Sequence, residues 1–344
     1  MDRGRRRKSM SARTLIGTVC LAAALIGQSQ VNGPGTGGGL KRFRGDVPVM
    51  LIRAIRAQPN LRYTGTYTVE FRQGPTPMRH QEYITRDGSK YRIEFPGDSQ
   101  FAGQVIVEDQ NTRLHYHPVS NEIIQQPPRH GEAWEKVANL ATDPKFQLNT
   151  TNGEVIAGLK TDQLVVSDKS GNVLQRLFIE PGSGLVLKRQ IFDLVGTSVG
   201  YFEFTQIDLA PKIDPQTFVI KRKNAVLVTP LAQYQRIAKT RGFSNKILAP
   251  ASGFQLESAN YKKFAGVDGL VQTYVNGRIR LWIYQLKAPV DPTRLRQQAG
   301  KNSHFFAYQS NGETVVLLGN LPERDLERFV SMMSSGTPGP SSKL

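Results

Sequence analysis

Two histidines, His115 and His117, come nearest to a chemical site in this sequence. They are two residues apart in a predicted strand, so both imidazoles face the same way, and a metal ion could use such a pair. Arg113 shares their side of the strand and no further ligand cluster accompanies them, so we interpret them as surface residues rather than metal ligands. Acidic residues such as Asp109 and Asp143 are scattered, and nothing marks two of them as an acid and base pair.

The sequence motifs of nucleotide-binding and metal-dependent enzymes are absent. The chain has no phosphate-binding loop ending in Gly-Lys-Ser/Thr and no His-Glu-x-x-His helix. Its single cysteine, Cys20, lies in an N-terminal apolar segment and is interpreted as part of an export signal. We therefore predict a binding protein, with no catalytic residue, no metal site and no cofactor.

Basic residues crowd one part of the chain and form a candidate partner-binding site. Such a run is usually a solvated face, but its density at a predicted interdomain junction also suits an acidic partner. The candidate residues are Lys221, Arg222, Lys223, Arg236, Lys239 and Arg241.

Residues 1–29 are predicted to be a cleaved signal peptide, with a basic start and an apolar run from about Leu15 to Gly27. A membrane anchor is the alternative, but the run is shorter than the roughly 20 residues of a spanning helix. The net charge is +17, of which residues 1–29 contribute +5. An exported chain meets anionic lipids or acidic proteins, so we expect a periplasmic or other extracytoplasmic location and no nucleic-acid partner.

The sequence predicts an antiparallel meander from Gly153 to Leu209, because three turn signals divide it into four apolar-rich runs. Upstream, apolar and polar residues alternate strictly from Tyr63 to Phe71, which is typical of a half-buried strand. Further strands are predicted at 82–86, 91–95, 104–108, 113–117 and 121–126. Helices are predicted at 46–57, N-capped by Asp46, and at 131–141. A leader at 30–45 precedes this domain.

The predicted fold class is α+β: a strongly curved antiparallel sheet with covering helices over 46–222, then a smaller α+β domain over 229–333. A linker is predicted at 223–228 and a mobile tail at 334–344. Thr229 and Pro230 begin a helix that ends at Gly242, Asn276-Gly277 predicts a hairpin, and Asp291 and Pro322 begin two later helices.

The apolar side of the curved sheet and its helices is a candidate lipid-binding cavity, although the same residues could simply fill a core. The candidate lining residues, chosen by alternation alone, are Leu51, Ile52, Ile55, Tyr67, Val69, Phe71, Tyr91, Ile93, Phe95, Leu114, Tyr116, Trp134, Phe202 and Phe204.

Several short motifs, in their order and spacing, resemble the MucB/RseB family of sigma-E regulatory proteins. The resemblance spans about Pro48 to Met333 and includes Ile156-Ala157-Gly158, Glu180-Pro181-Gly182-Ser183-Gly184-Leu185, Phe202-Glu203-Phe204-Thr205-Gln206-Ile207-Asp208, Leu248-Ala249-Pro250-Ala251-Ser252-Gly253-Phe254 and Thr314-Val315-Val316-Leu317-Leu318-Gly319-Asn320-Leu321-Pro322. It implies a LolA-like first domain and a MucB/RseB-like second domain.

The resemblance also implies a function without catalysis. Members bind the extracytoplasmic domain of an anti-sigma factor and shield it from proteolysis, and lipid or lipopolysaccharide relieves that protection. A periplasmic lipid or lipoprotein carrier, which uses the same curved sheet, is the alternative, and an envelope hydrolase is a third hypothesis. A homo-oligomer is left open, and the family offers no short signature from which a ligand residue could be assigned.

Overall fold

The computed structural model describes residues 47–72, 77–128, 139–140, 142–193, 195–264, 267–276, 279–289 and 303–333. They fall into two compact units, the first built from residues 42–105 and 129–219 and the second from 106–128 and 220–344. The predicted signal peptide, leader and tail lie outside the described residues, as do Asp46, most of the predicted helix at 131–141 and the helix predicted from Asp291.

Three α-helices are described: α1 (Val49–Ala57), α2 (Pro230–Arg241) and α3 (Glu323–Ser331). Seventeen strands accompany them: β1 (Arg62–Arg72), β2 (Pro77–Asp87), β3 (Lys90–Glu94), β4 (Val105–Glu108), β5 (Arg113–His117), β6 (Glu122–Gln126), β7 (Gln147–Ile156), β8 (Leu159–Ser167), β9 (Val173–Ile179), β10 (Val186–Phe192), β11 (Ser198–Asp208), β12 (Val226–Val228), β13 (Gln255–Phe264), β14 (Val267–Asn276), β15 (Ile279–Leu286), β16 (His304–Ser310) and β17 (Glu313–Gly319).

The predicted fold class is confirmed: twelve strands form a large curved sheet dominated by antiparallel pairs, and five form a second sheet. In the first unit the strand order is β3-β2-β1-β11-β10-β9-β8-β7. In the second unit the strand order is β12-β6-β5-β4, with β12 parallel to β6, and the small sheet has the order β13-β14-β15-β17-β16.

The central meander has five strands, β7 to β11, rather than the four predicted between Gly153 and Leu209. The additional turn consists of Ala157 and Gly158, whose φ angles are 48° and 82°. Two consecutive residues with positive φ are typical of a two-residue hairpin loop, and Ile156 pairs directly with Leu159 across it. Alanine is uncommon in such a loop, which explains why sequence alone merged β7 and β8.

Helix α1 begins two residues later than predicted, because its N-cap is Pro48 rather than Asp46. Its side chains Leu51 and Ala54 are fully buried against Leu164, Leu177 and Ile179 of the sheet. Arg53 also donates a hydrogen bond to the carbonyl oxygen of Pro181, in the turn between β9 and β10. In that turn a Cβ on Gly184, whose φ is 74°, would lie 3.2 Å from Cα of Ala54, so glycine permits the close approach.

Helix α2 agrees with its prediction because both of its ends are encoded locally. The hydroxyl of Thr229 accepts a hydrogen bond from the Ala232 amide, Pro230 occupies the first turn, and Gly242 ends the helix with a left-handed φ of 67°. The hairpin predicted at Asn276-Gly277 is present, since Asn276 pairs with Ile279, and its two loop residues lie outside the described ones.

Part of the predicted linker at 223–228 is the strand β12. Asn121 donates hydrogen bonds from its side-chain amide to the carbonyl oxygens of Lys223 and Asn224, at 3.2 and 3.0 Å. The predicted domain bounds, 46–222 and 229–333, stay a prediction; the compact units differ from them chiefly because residues 106–128 belong to the second unit.

A polar network lies within the small sheet of the second unit and holds the segment 244–248 against it. Glu313 accepts hydrogen bonds from the Ser244 amide at 2.9 Å and from the Ser244 hydroxyl at 2.6 Å. Gln272 donates to the Lys246 carbonyl oxygen at 2.9 Å, and the Tyr274 hydroxyl accepts from the Leu248 amide at 3.0 Å. The donors and acceptors of this network are therefore satisfied by named partners.

Candidate functional site

Eight of the predicted lining residues lie on one face of the large sheet in the first unit, which we call the helix-covered face because α1 packs against it. Tyr67 pairs with Phe204 and Val69 pairs with Phe202 between β1 and β11. Directly opposed residues of antiparallel strands share a face, so the strand register supports the alternation argument. The eight are Tyr67, Val69, Phe71, Tyr91, Ile93, Phe95, Phe202 and Phe204.

The three helical candidates belong to the same first unit. Leu51 is completely buried, and Ile52 and Ile55 are partly buried against the cluster around Leu164 and Leu177. Leu114 and Tyr116 belong to the second unit, so the structure does not group them with the others. Trp134 lies outside the described residues.

A buried cluster of Tyr67, Glu82 and His80 interrupts the apolar helix-covered face. The Tyr67 hydroxyl donates to one carboxylate oxygen of Glu82, and Nε2 of His80 lies 2.7 Å from the other. Register places them together, because Tyr67 pairs with Glu82 and Val69 pairs with His80 between β1 and β2. Burial, followed by the charge of Glu82, raises the pKa of Tyr67 well above its ordinary value, so this phenol stays protonated and remains a donor.

Three phenylalanines surround the imidazole of His80. Its ring centroid lies 5.0 Å from that of Phe101, 5.8 Å from that of Phe95 and 6.2 Å from that of Phe71. The side chain of His80 is only 4% exposed. Its Nδ1 atom is buried and, among the residues that the structure describes, has no hydrogen-bond partner, an arrangement that usually costs free energy in a folded protein.

Two arginines are also buried on the helix-covered face, and they differ in their partners. Arg86 donates to the Gly88 carbonyl oxygen at 2.9 Å, to Oε1 of Gln58 at 2.8 Å and to the Gln58 carbonyl oxygen at 2.6 Å. Arg189 on β10 donates one hydrogen bond, to the side-chain oxygen of Gln175. In the described part of the chain, its Nε atom has no hydrogen-bond partner and no carboxylate pairs with its guanidinium.

The expectation that Arg113, His115 and His117 form a surface is wrong for two of them. Arg113 and His115 are 2% and 3% exposed, and Arg113 Nη1 lies 2.9 Å from the buried carboxylate of Glu108. The centroids of the two imidazoles lie 3.9 Å apart and their planes are tilted by 42°, so the side chains do face one way as predicted. No group of three or more His, Cys, Asp or Glu side chains suited to a metal ion occurs among the described residues.

All six residues of the predicted basic site are exposed side chains of the second unit, and we call them the basic surface. Three are held by neighbours: Arg236 makes two hydrogen bonds to the Glu122 carboxylate, at 2.7 and 3.1 Å. Arg222 lies 5.3 Å from the ring centroid of Tyr116, and Arg241 lies 4.2 Å from that of Tyr261. Within the described ranges, no ion pair involves the other three, Lys221, Lys223 and Lys239.

Exposed apolar side chains lie beside these lysines in sequence. Val226 and Leu227 on β12 and Leu231 on α2 are 59%, 53% and 45% exposed. Strand β12 is at one end of the strand order of the large sheet. An edge strand with exposed aliphatic side chains is a common attachment point for an extended peptide.

Residues 196–200, Gly-Thr-Ser-Val-Gly, have the Gly-x-Ser-x-Gly spacing of a nucleophile elbow, a motif that requires a strand followed by a helix. The structure places them in the hairpin between β10 and β11, where a strand follows rather than a helix. Ser198 is exposed and pairs with Phe192 across the hairpin. The geometry is therefore that of an ordinary hairpin.

Sequence reasoning missed the buried polar groups, although one of them carried a signal. In β10 the residues Leu187, Arg189 and Ile191 are two apart, so the alternation of a strand places Arg189 on the same face as its two apolar neighbours. In β2 the signal was misleading, because Tyr83 is exposed while the neighbouring Glu82 is buried. The partner of Glu82, Tyr67, lies on another strand, so its hydroxyl could not be matched to that carboxylate from local sequence.

The solved structures similar to this chain include two of MucB and one of a LolA-superfamily protein. The MucA/MucB complex structure from Pseudomonas aeruginosa has 16% identity and a TM-score of 0.41, covering 84% of this chain and 98% of that one. A crystal structure of MucB has 16% identity and a TM-score of 0.40, covering 83% and 96%. A LolA-superfamily protein from Nitrosomonas europaea has 10% identity and a TM-score of 0.27, covering 50% and 96%.

No family model and no curated protein matches the chain. At the identities and TM-scores of the solved structures, the comparisons assign no residue of this chain to a ligand or a partner. A search of the described helices for one long and apolar enough to span a bilayer finds none.

Proposed function

We propose that this protein is an exported, non-catalytic regulator of the MucB/RseB kind, which binds the extracytoplasmic part of an anti-sigma factor and senses lipid or lipopolysaccharide. The observation that carries the partner half of the proposal is the basic surface with its adjoining apolar side chains. Lys221 and Lys223 precede β12, whose Val226 and Leu227 are exposed, in a segment held by Asn121.

This surface suits a polypeptide that is both acidic and apolar. The cations attract acidic residues over a distance of about 8–10 Å at physiological salt, and the aliphatic side chains supply burial at contact. The three arginines of the basic surface are already held by neighbouring side chains, so we assign them to the framework of the surface. Arg222 contacts Tyr116, Arg236 contacts Glu122, and Arg241 contacts Tyr261. Lys221, Lys223 and Lys239 are the cations that we assign to partner contact.

The lipid half of the proposal is supported by the helix-covered face, where aromatic and aliphatic side chains surround buried polar groups. A lipid signal can release a protein partner only if lipid favours a conformation or surface that the partner binds less well. The lipid must then weaken the binding of the partner by the same factor by which the partner weakens the binding of the lipid.

A charge-reversal variant tests the partner site. Lys221→Glu/Lys223→Glu/Lys239→Glu should raise the Kd for the partner's extracytoplasmic domain at least about tenfold, measured by isothermal titration calorimetry. The control variant Lys90→Glu/Lys160→Glu/Lys169→Glu changes the same total charge at exposed lysines of the first unit and should leave the Kd within about threefold. Equal losses in the two variants would show a general charge effect and remove the basic surface from the proposal.

The alternative is a periplasmic lipid or lipoprotein carrier, favoured by the same helix-covered face. Native mass spectrometry of the protein purified from its own envelope separates the two functions. A stoichiometric complex with the partner domain that dissociates on adding lipid supports the regulator. Bound acyl species without any partner complex would support the carrier instead.

A further inference from the structure

One row of side chains crosses the helix-covered face from β2 to β8. Register pairs His80 with Val69, Val69 with Phe202 and Phe202 with Arg189. The row continues from Arg189 to Leu177 and then to Leu164. Directly paired residues project from the same side of a sheet, so these side chains form one transverse line.

Arg189 is the exceptional member of this row. Its side chain is buried, with a relative exposure of 6%, and its neighbours in the row are Leu177 and Phe202. Burial lowers the pKa of Arg189 to about 10, which still leaves the guanidinium charged at neutral pH. A buried cation is costly unless it is paired, and among the described residues only the neutral side-chain amide of Gln175 accepts a hydrogen bond from it.

A second buried atom that lacks a hydrogen-bond partner within the described residues lies along the same row. Nδ1 of His80 is three strands from Arg189, which at about 4.8 Å per strand is about 14 Å. Val69 and Phe202 separate the two polar residues; Val69 is fully buried, and Phe202 is partly buried against the same hydrophobic cluster. The face thus offers a cationic donor, an apolar stretch and a further polar atom in one line.

We propose that Arg189 anchors the acidic head of an amphiphilic ligand whose apolar chain lies over Phe202 and Val69 toward His80. A guanidinium recognises carboxylate and phosphate oxygens through paired hydrogen bonds, and Nε is one of the donors that such an oxygen would use. The inference rests on the lipid-sensing part of the proposed function and adds the charge of the ligand and the residue that selects it.

The test compares three twelve-carbon amphiphiles below their critical micelle concentrations: laurate, dodecyl phosphate and neutral monolaurin. Binding to the purified protein is measured by isothermal titration calorimetry. We expect both anions to bind more tightly than monolaurin, and the stronger of the two identifies the acidic group. Arg189→Met should weaken both anions at least about tenfold and leave monolaurin unchanged, while Arg189→Lys should restore part of the loss.

Lys160→Met, which removes an exposed cation of β8, is the matched charge control and should bind as the wild type does. Thermal unfolding of Arg189→Met establishes that the variant folds. Wild-type protein that binds the anions and monolaurin equally, or Arg189→Met that binds the anions unchanged, would overturn the inference while the lipid-sensing proposal stands. Wild-type protein that binds none of the three would contradict both.

Discussion

Glu313 in the small sheet and Arg189 in the helix-covered face are both buried charges, at 3% and 6% exposure, but only the first has its hydrogen bonds made. Glu313 accepts from Ser244 and Gln285, and Lys287 lies 3.3 Å away. Arg189 contacts one neutral amide. The comparison teaches that a buried polar group can have two roles. A group whose hydrogen bonds are satisfied stabilises the fold, whereas an unsatisfied group marks a candidate ligand-binding position.

The largest effect is expected from breaking the satisfied network. Glu313→Ala leaves the amide and hydroxyl of Ser244 and the amide of Gln285 without their shared acceptor. We expect the free energy of unfolding, from urea denaturation, to fall by about 3 kcal/mol. Glu323→Ala, at an exposed residue of α3, should cost less than about 1 kcal/mol. A similar cost for both variants would show that the network does not stabilise the second unit.

Arg86 and Arg189 allow satisfied and unsatisfied buried charges to be compared on the same helix-covered face. Arg86→Met removes a guanidinium that makes three hydrogen bonds and should cost about 2–3 kcal/mol of unfolding free energy. Arg189→Met replaces an uncompensated cation by an apolar chain of similar length and should be neutral or stabilising by about 1 kcal/mol. Urea denaturation without lipid measures both. Equal losses would mean that Arg189 is a structural residue like Arg86.

A smaller effect distinguishes the two tyrosines of β1. Tyr67→Phe deletes the donor to the buried Glu82 carboxylate and should cost about 1–2 kcal/mol. In Tyr63→Phe the ring remains buried, and since no hydrogen bond of the Tyr63 hydroxyl occurs in the described part of the chain, the cost should be below about 0.5 kcal/mol. The unfolding free energies of the two variants at pH 7 provide the measurement, and the reverse order would contradict the role given to Glu82.

The smallest effect concerns pH and the partly buried His117 of the second unit. Burial lowers the pKa of His117 from 6.5, and the nearby Glu122 opposes this shift. A histidine whose folded pKa is lowered stabilises the fold above the unfolded pKa, and this contribution is lost as pH falls through the folded pKa. His117→Gln should therefore lose less stability than the wild type between pH 7.5 and 5. Identical losses on acidification would show that His117 contributes nothing to this slope.

Local signals explain what the sequence could predict. Helix α2 carries its own cap and stop residues, and the alternation in β1 places Tyr67, Val69 and Phe71 correctly on one face. The turn at Ala157-Gly158 was missed because alanine rarely takes a positive φ, and β12 was taken for a linker because three residues are too few for a pattern.

The buried charges depend on partners distant in sequence. Glu82 is satisfied by Tyr67 on the adjacent strand, and Arg86 by Gln58, 28 residues away. Alternation could place Arg189 inside, but only the structure shows that its guanidinium meets a single amide. Such an imbalance between burial and pairing is a tertiary property, which is why the predicted lining contained apolar residues alone.

Coupling between lipid and partner is the most direct test of the whole account. The Kd for the candidate anti-sigma extracytoplasmic domain should be measured by calorimetry with and without saturating laurate or dodecyl phosphate, using wild type and Arg189→Met. The account predicts that the better-binding anion raises the wild-type Kd at least about fivefold and that the variant responds less at the same concentration. An unchanged Kd while the wild-type protein binds both ligands would contradict it, because two ligands that bind independently cannot make a sensor.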